Sequence, residues 1–448
     1  MKTIHGWFVV AVAGLLFLTS GCGVQRVVWS PDGTRAAVLG EQGLYFSDAE
    51  GKVSGLLVSN VAMAEWFPDS HKLALVRSDK TQSWADLQTH LRAEDRDPII
   101  QEGQTVLKEL NAGHDWKAAL KAVDHADAVA LYLKGAEGVK EKAGADWAEL
   151  DRKEISVYEL YVGTISGDQV TLGAALVQTL QQPLPLGLRV SPAGTAIAMT
   201  TDAGKRHGAR LIVVPADGSA PEKIVSEDAC GHPDWTKDGR ALVYINAVGA
   251  MTSDDDLRLG ALTRRQVINA AGAVEIQTNH DDLAGMLFDS NLGARSLSDG
   301  RILFLALDLQ LPVTAPDMPE RPQIFALDPR HQATLTRLIP RSVMQNLSQG
   351  VGFWEVSPDE KKVLMAADKG AVMVLSLADG TLATVQAAGG DDPPSFPSWR
   401  GSDEVCYLSA SPTNSAGHAW EVALWKDGTN RVISAGWPAD LRKGFLDK

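Results

Sequence analysis

The chain has 448 residues, 45% of them hydrophobic, and a formal net charge of −14. That is enough apolar material for a large core, and length alone suggests two or three domains. The acidic balance argues against nucleic acid as a partner and against electrostatic attachment to an anionic membrane surface.

Lys2 precedes a continuous apolar run from Trp7 to Leu18. The run is shorter than the roughly 20 residues a spanning helix needs, and it reads as the h-region of a signal peptide covering residues 1–21. Thr19-Ser20-Gly21 before Cys22 resembles a bacterial lipoprotein signal, although the Leu that such signals favour three residues before the Cys is Thr19 here. The resemblance implies cleavage before Cys22 and a lipid on its sulfur. Gly23, in place of the Asp that retains such proteins at the inner membrane, implies the periplasmic face of the outer membrane. No later stretch of 18 or more apolar residues occurs, so the lipid is the expected membrane contact.

Residues 27–40, VVWSPDGTRAAVLG, join two strand-like runs through Ser30-Pro31-Asp32-Gly33. Pro presets φ for a tight turn, and Asp-Gly tolerates the left-handed conformation that such a turn needs. The same device recurs at Trp66-Phe67-Pro68-Asp69, Ser191-Pro192-Ala193-Gly194, Trp235-Thr236-Lys237-Asp238-Gly239, Ser298-Asp299-Gly300, Ser357-Pro358-Asp359 and Arg400-Gly401-Ser402-Asp403. A second hairpin follows most copies, at 47–53, 214–220, 327–333, 377–383 and 425–431. Two hairpins make four short strands per unit, the pattern of a propeller blade. The strands suit burial on two sides: Met373, Leu375 and Leu377 alternate with Val372 and Val374.

These repeats resemble the WSPDG-type units of the TolB-like β-propeller family, over nearly all of residues 24–435. The fold expected is all-β: a seven-bladed β-propeller of four-stranded antiparallel blades over residues 22–448. Cys230 and Cys406, three blades apart, are then expected as free thiols, because a disulfide needs Cα atoms within about 7 Å. The family resemblance implies binding of protein or ligand in the cell envelope, and not membership of a Tol–Pal system, because the N-terminal domain of that family has no counterpart here.

One interval breaks the period, the 124 residues from Asp69 to Ala193. Within it the chain turns rich in Ala, Lys, Glu and Leu. Val106, Leu107 and Leu110 form one stripe ending at Gly113, and Asp115 caps a second stripe of Trp116, Ala119, Leu120 and Val123. The spacing predicts an α-helical insertion over 81–153, between the second and third strands of blade 2, with Trp84, Trp116 and Trp147 as its own core.

In a propeller the turns after the first and third strands share one face, and here they are short. The long connections fall on the opposite face: the insertion, 202–209, 247–256, 278–291, 309–323, 389–398 and 411–419. Function concentrates on loops held by a rigid scaffold, so that face is the expected working surface. On it, Asp254-Asp255-Asp256 and His280-Asp281-Asp282 form the candidate binding set, whose oxygens suit Ca²⁺. The bland reading of the same residues is solvated acidic loop. His207 and His418 on that face read as solvent-facing.

No Gly-x-Ser-x-Gly elbow, His-Glu-x-x-His, phosphate loop or Cys-x-x-Cys occurs, and about fifteen residues after the last blade leave no room for a second domain. The expectation is therefore a non-catalytic, monomeric envelope lipoprotein without a resident cofactor, binding an envelope protein or small ligand. The alternative is a periplasmic hydrolase or lyase acting on carbohydrate or peptide, with a metal-assisted site at the channel mouth.

Overall fold

The computed structural model describes residues 26–202, 209–250, 258–288, 293–307, 322–331, 334–339, 351–367, 371–386, 397–410, 420–438 and 441. Cys22, Asp254, Asp255, Asp256, His207, His418 and most of the long loops named above lie outside the described residues.

Among the described residues the chain is all-β apart from one α-helical stretch and short 3-10 turns, and its strands group in chain order. β1 (Val27–Trp29), β2 (Arg35–Gly40), β3 (Gly43–Asp48) and β4 (Val58–Ser59) form the first antiparallel sheet. The second contains β5 (Val61–Trp66), β6 (Lys72–Thr81), β7 (Ile155–Ser166) and β8 (Gln169–Leu172), with β9 (Val177–Thr179) also paired to β7. A seven-stranded sheet follows, in the order β10 (Pro183–Val190), β11 (Ala196–Asp202), β12 (Ala209–Pro215), β13 (Lys223–Trp235), β14 (Ala241–Ala250), β15 (Arg258–Gln266) and β16 (Asp281–Phe288). Three four-stranded sheets complete the series. They are β17 (Ala294–Ser296), β18 (Ile302–Leu307), β19 (Pro322–Asp328) and β20 (Thr334–Arg337); β21 (Val351–Val356), β22 (Lys362–Ala367), β23 (Val372–Ser376) and β24 (Leu382–Gln386); and β25 (Ser398–Arg400), β26 (Glu404–Ala410), β27 (Trp420–Lys426) and β28 (Thr429–Val432).

Each repeated turn joins two consecutive antiparallel strands, the first two of a sheet in every copy but that of Thr236, which joins β13 to β14, and its chemistry is visible. The Ser30 hydroxyl donates to Asp32 Oδ1 at 2.6 Å, and the same oxygen accepts from the Thr34 amide at 3.0 Å. Thr236 with Asp238, and Ser357 with Asp359, repeat the first bond at 2.6 and 2.7 Å. The fourth turn position has φ near +67° in Gly33, a conformation open to glycine at little steric cost.

The sheets pack face to face in succession and the last returns to the first. Leu39 meets Trp66 and Leu73; Met63 and Leu160 meet Ile197 and Ile212; Val243 and Leu262 meet Phe304 and Ile324. The circuit closes where Val27, Trp29 and Val38 meet Cys406, Leu424 and Trp437. β23 serves two neighbours: Met373 and Leu375 pack toward the β17–β20 sheet, while Val372 and Val374 pack toward β25–β28. Burying a Leu or Val is worth about 1.5–3 kcal/mol, so each sheet gains from both faces only within the circuit. Cys230 and Cys406 are both buried and in no disulfide, and burial pushes the Cys406 thiol up to about 12.

β13 departs from the four-strand pattern. Its first half pairs with β12 and its second with β14. Between Cys230 and Asp234 the register shifts, and Gly231 takes φ +66°, so glycine permits the bend that carries one strand through both pairings.

Helices α1 (Trp84–His90), α2 (Ala93–Asn111), α3 (Trp116–Ala122), α4 (Ala126–Gly135), α5 (Val139–Ala143) and α6 (Trp147–Asp151) lie between β6 and β7. The Asp115 side chain caps α3 by accepting from the Ala118 amide at 3.0 Å. Leu87, Ile99, Val106, Leu131 and Leu133 make a separate core, with Trp84 and Trp147 packed beside it. The strands that flank the helices stay paired to their ends, Thr81 opposite Ile155, and Lys80 Nζ lies 2.6 Å from Glu154 Oε1. Joining Lys80 to Glu154 by a short Gly/Ser linker is therefore expected to give a folded protein that loses its helical circular dichroism and keeps its β signal. An unfolded product would show that the helices complete the sheet core.

Candidate functional site

A cluster of charge lies where the first strands of the groups converge. The residue at the matching place before each turn is Val28, Glu65, Arg189, Asp234, Arg295, Glu355 and Ser398 in turn, one place before the last strand residue except in the final copy, where Arg400 extends the strand and Ser398 lies two places before its end. Five consecutive copies therefore alternate in sign, three carboxylates with two guanidiniums.

Arg189 Nη1 stands 3.4 Å from Glu65 Oε1 and 3.5 Å from Oε2. Asp234 Oδ2 accepts from the Ser296 amide at 2.8 Å. The Arg295 guanidinium lies 5.4 Å from the centroid of the Trp354 ring, and its Nη1 donates to the Ala294 carbonyl at 2.8 Å. Indoles bind the strands together at the same level. Trp66 Nε1 donates to the Val28 carbonyl at 2.8 Å, Trp235 Nε1 to the Arg189 carbonyl at 3.1 Å, and Trp399 Nε1 to the Glu355 carbonyl at 3.2 Å. In each case the acceptor is the matching residue before the preceding copy of the turn.

The surroundings shift Glu65, Arg189, Arg295 and the nearby His232. Burial raises the proton affinity of the Glu65 carboxyl, which the nearby Arg189 charge opposes and the Glu355 charge reinforces. The Glu65 side chain keeps 24% of its surface, but it sits deep enough among the strands for burial to prevail. Burial, then the like charge of Arg189, brings Arg295 down to about 10. Burial alone would lower Arg189, but the carboxylates of Glu65, Asp234 and Glu355 outweigh it and raise the group. Burial and the two guanidiniums hold His232 well below the ordinary imidazole value.

A carboxyl raised in the folded state stabilises the fold at low pH, and that contribution is lost as pH rises through the raised value. Glu65→Gln removes this loss. Its stability relative to the parent is expected to climb as pH rises above the ordinary carboxylate range, read as denaturant midpoints. A pH-independent difference would contradict the assignment.

A cavity of about 400 Å³ opens at one end of this cluster. Glu65, Glu355, Val28 and Ser398 line its wall, with Trp29, Trp66 and Trp399; turn residues Ser30, Pro31, Pro358 and Gly401 form the rim. It lies on the side of the short turns, the side that the loop lengths had marked as trim.

His280, Asp281 and Asp282 stand elsewhere, at the start of the edge strand β16. Asp281 Oδ2 is 2.8 Å from Arg264 Nη2, Asp282 Oδ1 accepts from the Thr263 hydroxyl at 2.8 Å, and His280 Nε2 is 3.6 Å from Asp282 Oδ1. Among the described residues no group of three His, Cys, Asp or Glu side chains could hold a metal ion. The channel charges were missed in the sequence because each is a single polar residue in a short strand. Their signal was the repeat itself, the place before the strand-ending residue.

No family model and no curated protein matches the chain. Among solved structures it is similar to a periplasmic gluconolactonase of Pseudomonas aeruginosa, at 14% identity and TM-score 0.44, covering 91% of this chain and 98% of that one. It is also similar to an oligogalacturonate lyase of Vibrio parahaemolyticus, at 12% identity and TM-score 0.40, covering 80% and 75%. A TolB-designated protein of Agrobacterium tumefaciens aligns at 14% identity and TM-score 0.32 over 52% and 76%. These neighbours are propeller proteins, and the circuit of sheets fits a propeller. Two of the three are named as enzymes, which corrects the expectation that the chain is not one. The physical reason is that a site assembled from separate sheets leaves no linear motif, and here charged groups do converge from five positions. Among the described residues, no helix is long and apolar enough to cross a membrane.

Proposed function

We propose that this chain is a seven-bladed β-propeller of the cell envelope that binds a small ligand in the cavity at the mouth of its channel. Support for seven blades comes from β13, which splits at Gly231 so that the seven-stranded sheet divides into two four-stranded units sharing one strand. The helices then form an insertion in blade 2. The lipoprotein-like Cys22 supplies the anchor, on the periplasmic face of the outer membrane. A palmitate analogue is expected to label the parent protein and not Cys22→Ala; equal labelling of both would sink the anchor.

The observation that carries the binding reading is the cavity of about 400 Å³, walled by indoles and by carboxylates of separate sheets. Small-molecule sites have volumes of about 300–1,000 Å³ with few placed polar groups. The test is thermal unfolding with the small-molecule fraction of envelope extracts. A ligand that binds the folded state raises the midpoint, and Ser398→Phe, which fills the cavity, is expected to abolish the rise. No rise in the parent, or an equal rise in both, would overturn the reading.

One observation favours a second reading, a hydrolase or lyase acting on carbohydrate or peptide at the same place. Glu65, raised in proton affinity, shares the cavity wall with Glu355, the arrangement from which acid and base roles are drawn. On that reading Glu65→Gln keeps binding and loses turnover.

A further inference from the structure

We propose that Lys237 is a strap across the mouth of the cavity, latched at Glu360, and that its release admits a ligand to the channel. The proposal deepens the ligand-binding reading above. Its test needs no ligand, so either can fail without the other.

The cavity is lined from one side of the ring. Apart from Lys237, every lining residue belongs to the first, second, sixth or seventh copy of the turn, or to the strand before it. Those copies are consecutive, because the last sheet packs on the first. Arg189, Asp234 and Arg295, from the third, fourth and fifth copies, do not line it. Lys237 belongs to the fourth copy. Its side chain therefore reaches over from the far side, and its Nζ ends 2.8 Å from Glu360 Oε1, in the sixth copy.

Two departures from the chemistry of the turn meet in this pair. Pro31, Pro68, Pro192 and Pro358 hold the second turn position in other copies, where a fixed φ favours the bend. Lys237 gives up that advantage. At the fourth position Gly33, Gly194, Gly239 and Gly300 take a positive φ, whereas Glu360 adopts φ +58°, a strained conformation for a residue with a side chain. Ser70 shares that strain, also at φ +58°, and its hydroxyl accepts from the Asp32 amide at 3.3 Å. In both cases the side chain that bears the strain ties its turn to another copy.

The anchor is fixed and the strap is not. Glu360 Oε2 accepts from the Ser298 amide at 2.7 Å and from the Ser298 hydroxyl at 2.6 Å, so the fifth copy holds the carboxylate in place for the fourth. The Glu360 side chain keeps 16% of its surface, and that of Lys237 keeps 47%. An exposed ion pair favours its closed form by no more than about fivefold. A flexible four-carbon stem on such a latch swings free and returns, which makes it a gate rather than a brace.

The thiol introduced by Val28→Cys, on the cavity wall, reports the opening. Its reaction with neutral methyl methanethiosulfonate is followed on the peptide that carries position 28, which separates it from Cys22, Cys230 and Cys406. Lys237→Ala and Glu360→Gln, each added to Val28→Cys, are expected to speed that reaction about fivefold, with circular dichroism confirming the fold. Salt at about 1 M, which shortens the screening length to about 3 Å, is expected to speed it when Lys237 is present and not in the Lys237→Ala form. Salt acts on the intact pair, so that arm stands if a variant of either partner fails to fold. Equal rates with and without the Lys237 side chain overturn the strap. Acceleration by Lys237→Ala, but by neither Glu360→Gln nor salt, overturns the latch. No reaction at position 28 in any form overturns the gate as well, and the thermal-shift test of the ligand reading is then judged by itself.

Discussion

Arg189→Met is expected to destabilise the protein by about 3–5 kcal/mol at pH 8, the usual cost of removing one member of a buried ion pair. The substitution keeps the volume of the side chain and strips Glu65 of the guanidinium that faces it at 3.4 Å. The loss should be smaller at pH 5, because burial has already raised the proton affinity of Glu65 and a protonated carboxyl needs no counter-charge. Adding Glu65→Leu should restore most of the lost stability, since apolar replacement of a whole buried pair is often neutral or favourable. Denaturant midpoints at the two pH values measure both effects. A double variant no more stable than the single one would show that Arg189 acts through contacts other than Glu65.

Trp66→Ala should cost a similar amount, about 3–5 kcal/mol for a large aromatic side chain removed from a core. Trp66 is 5% exposed, stacks on Phe46 with centroids 5.7 Å apart and donates to the Val28 carbonyl of the sheet before it. Trp66→Phe separates the terms: it keeps much of the apolar contact and leaves that carbonyl unpaired, about 1–3 kcal/mol. Trp235 and Trp399 make the equivalent bond and should behave alike. Trp29 makes no bond to a main-chain carbonyl, so Trp29→Phe should cost less than the other three. Equal losses in all four would assign the whole effect to packing.

The turns were legible in the sequence because their chemistry is local. Ser30, Asp32 and Gly33 sit within four residues, and a hydroxyl, a carboxylate and a positive φ are enough to specify the bend. The helical stripes were legible for the same reason, down to the Asp115 cap. The two faces of β23 could be assigned from alternation alone, because a two-sided apolar strand has to be covered twice. β13 was hidden. Its two halves answer to different neighbours, and the glycine that joins them reads from sequence as a break between elements. The candidate site was hidden too, because a lone Glu or Arg in a short strand looks like its solvent side. Only stacking the seven copies shows that the charges share one place. The loop acids Asp281 and Asp282 gave the opposite impression: they cluster in sequence, and in the fold Arg264 and Thr263 take them up.

Among the described residues no strand is shared between the first sheet and the last, β1–β4 and β25–β28. Their joint consists of packed side chains such as Trp29 on Cys406, of Arg400 reaching the Gly33 carbonyl, and of Trp437 Nε1 reaching the Gly51 carbonyl at 3.1 Å. A hydrogen-bonded ladder shares a shearing load over many parallel bonds, whereas a contact of this kind carries it on a few. Tension applied between the two sheets therefore parts the molecule here first, like a split washer prised open at its cut. Trp437 is the fuse.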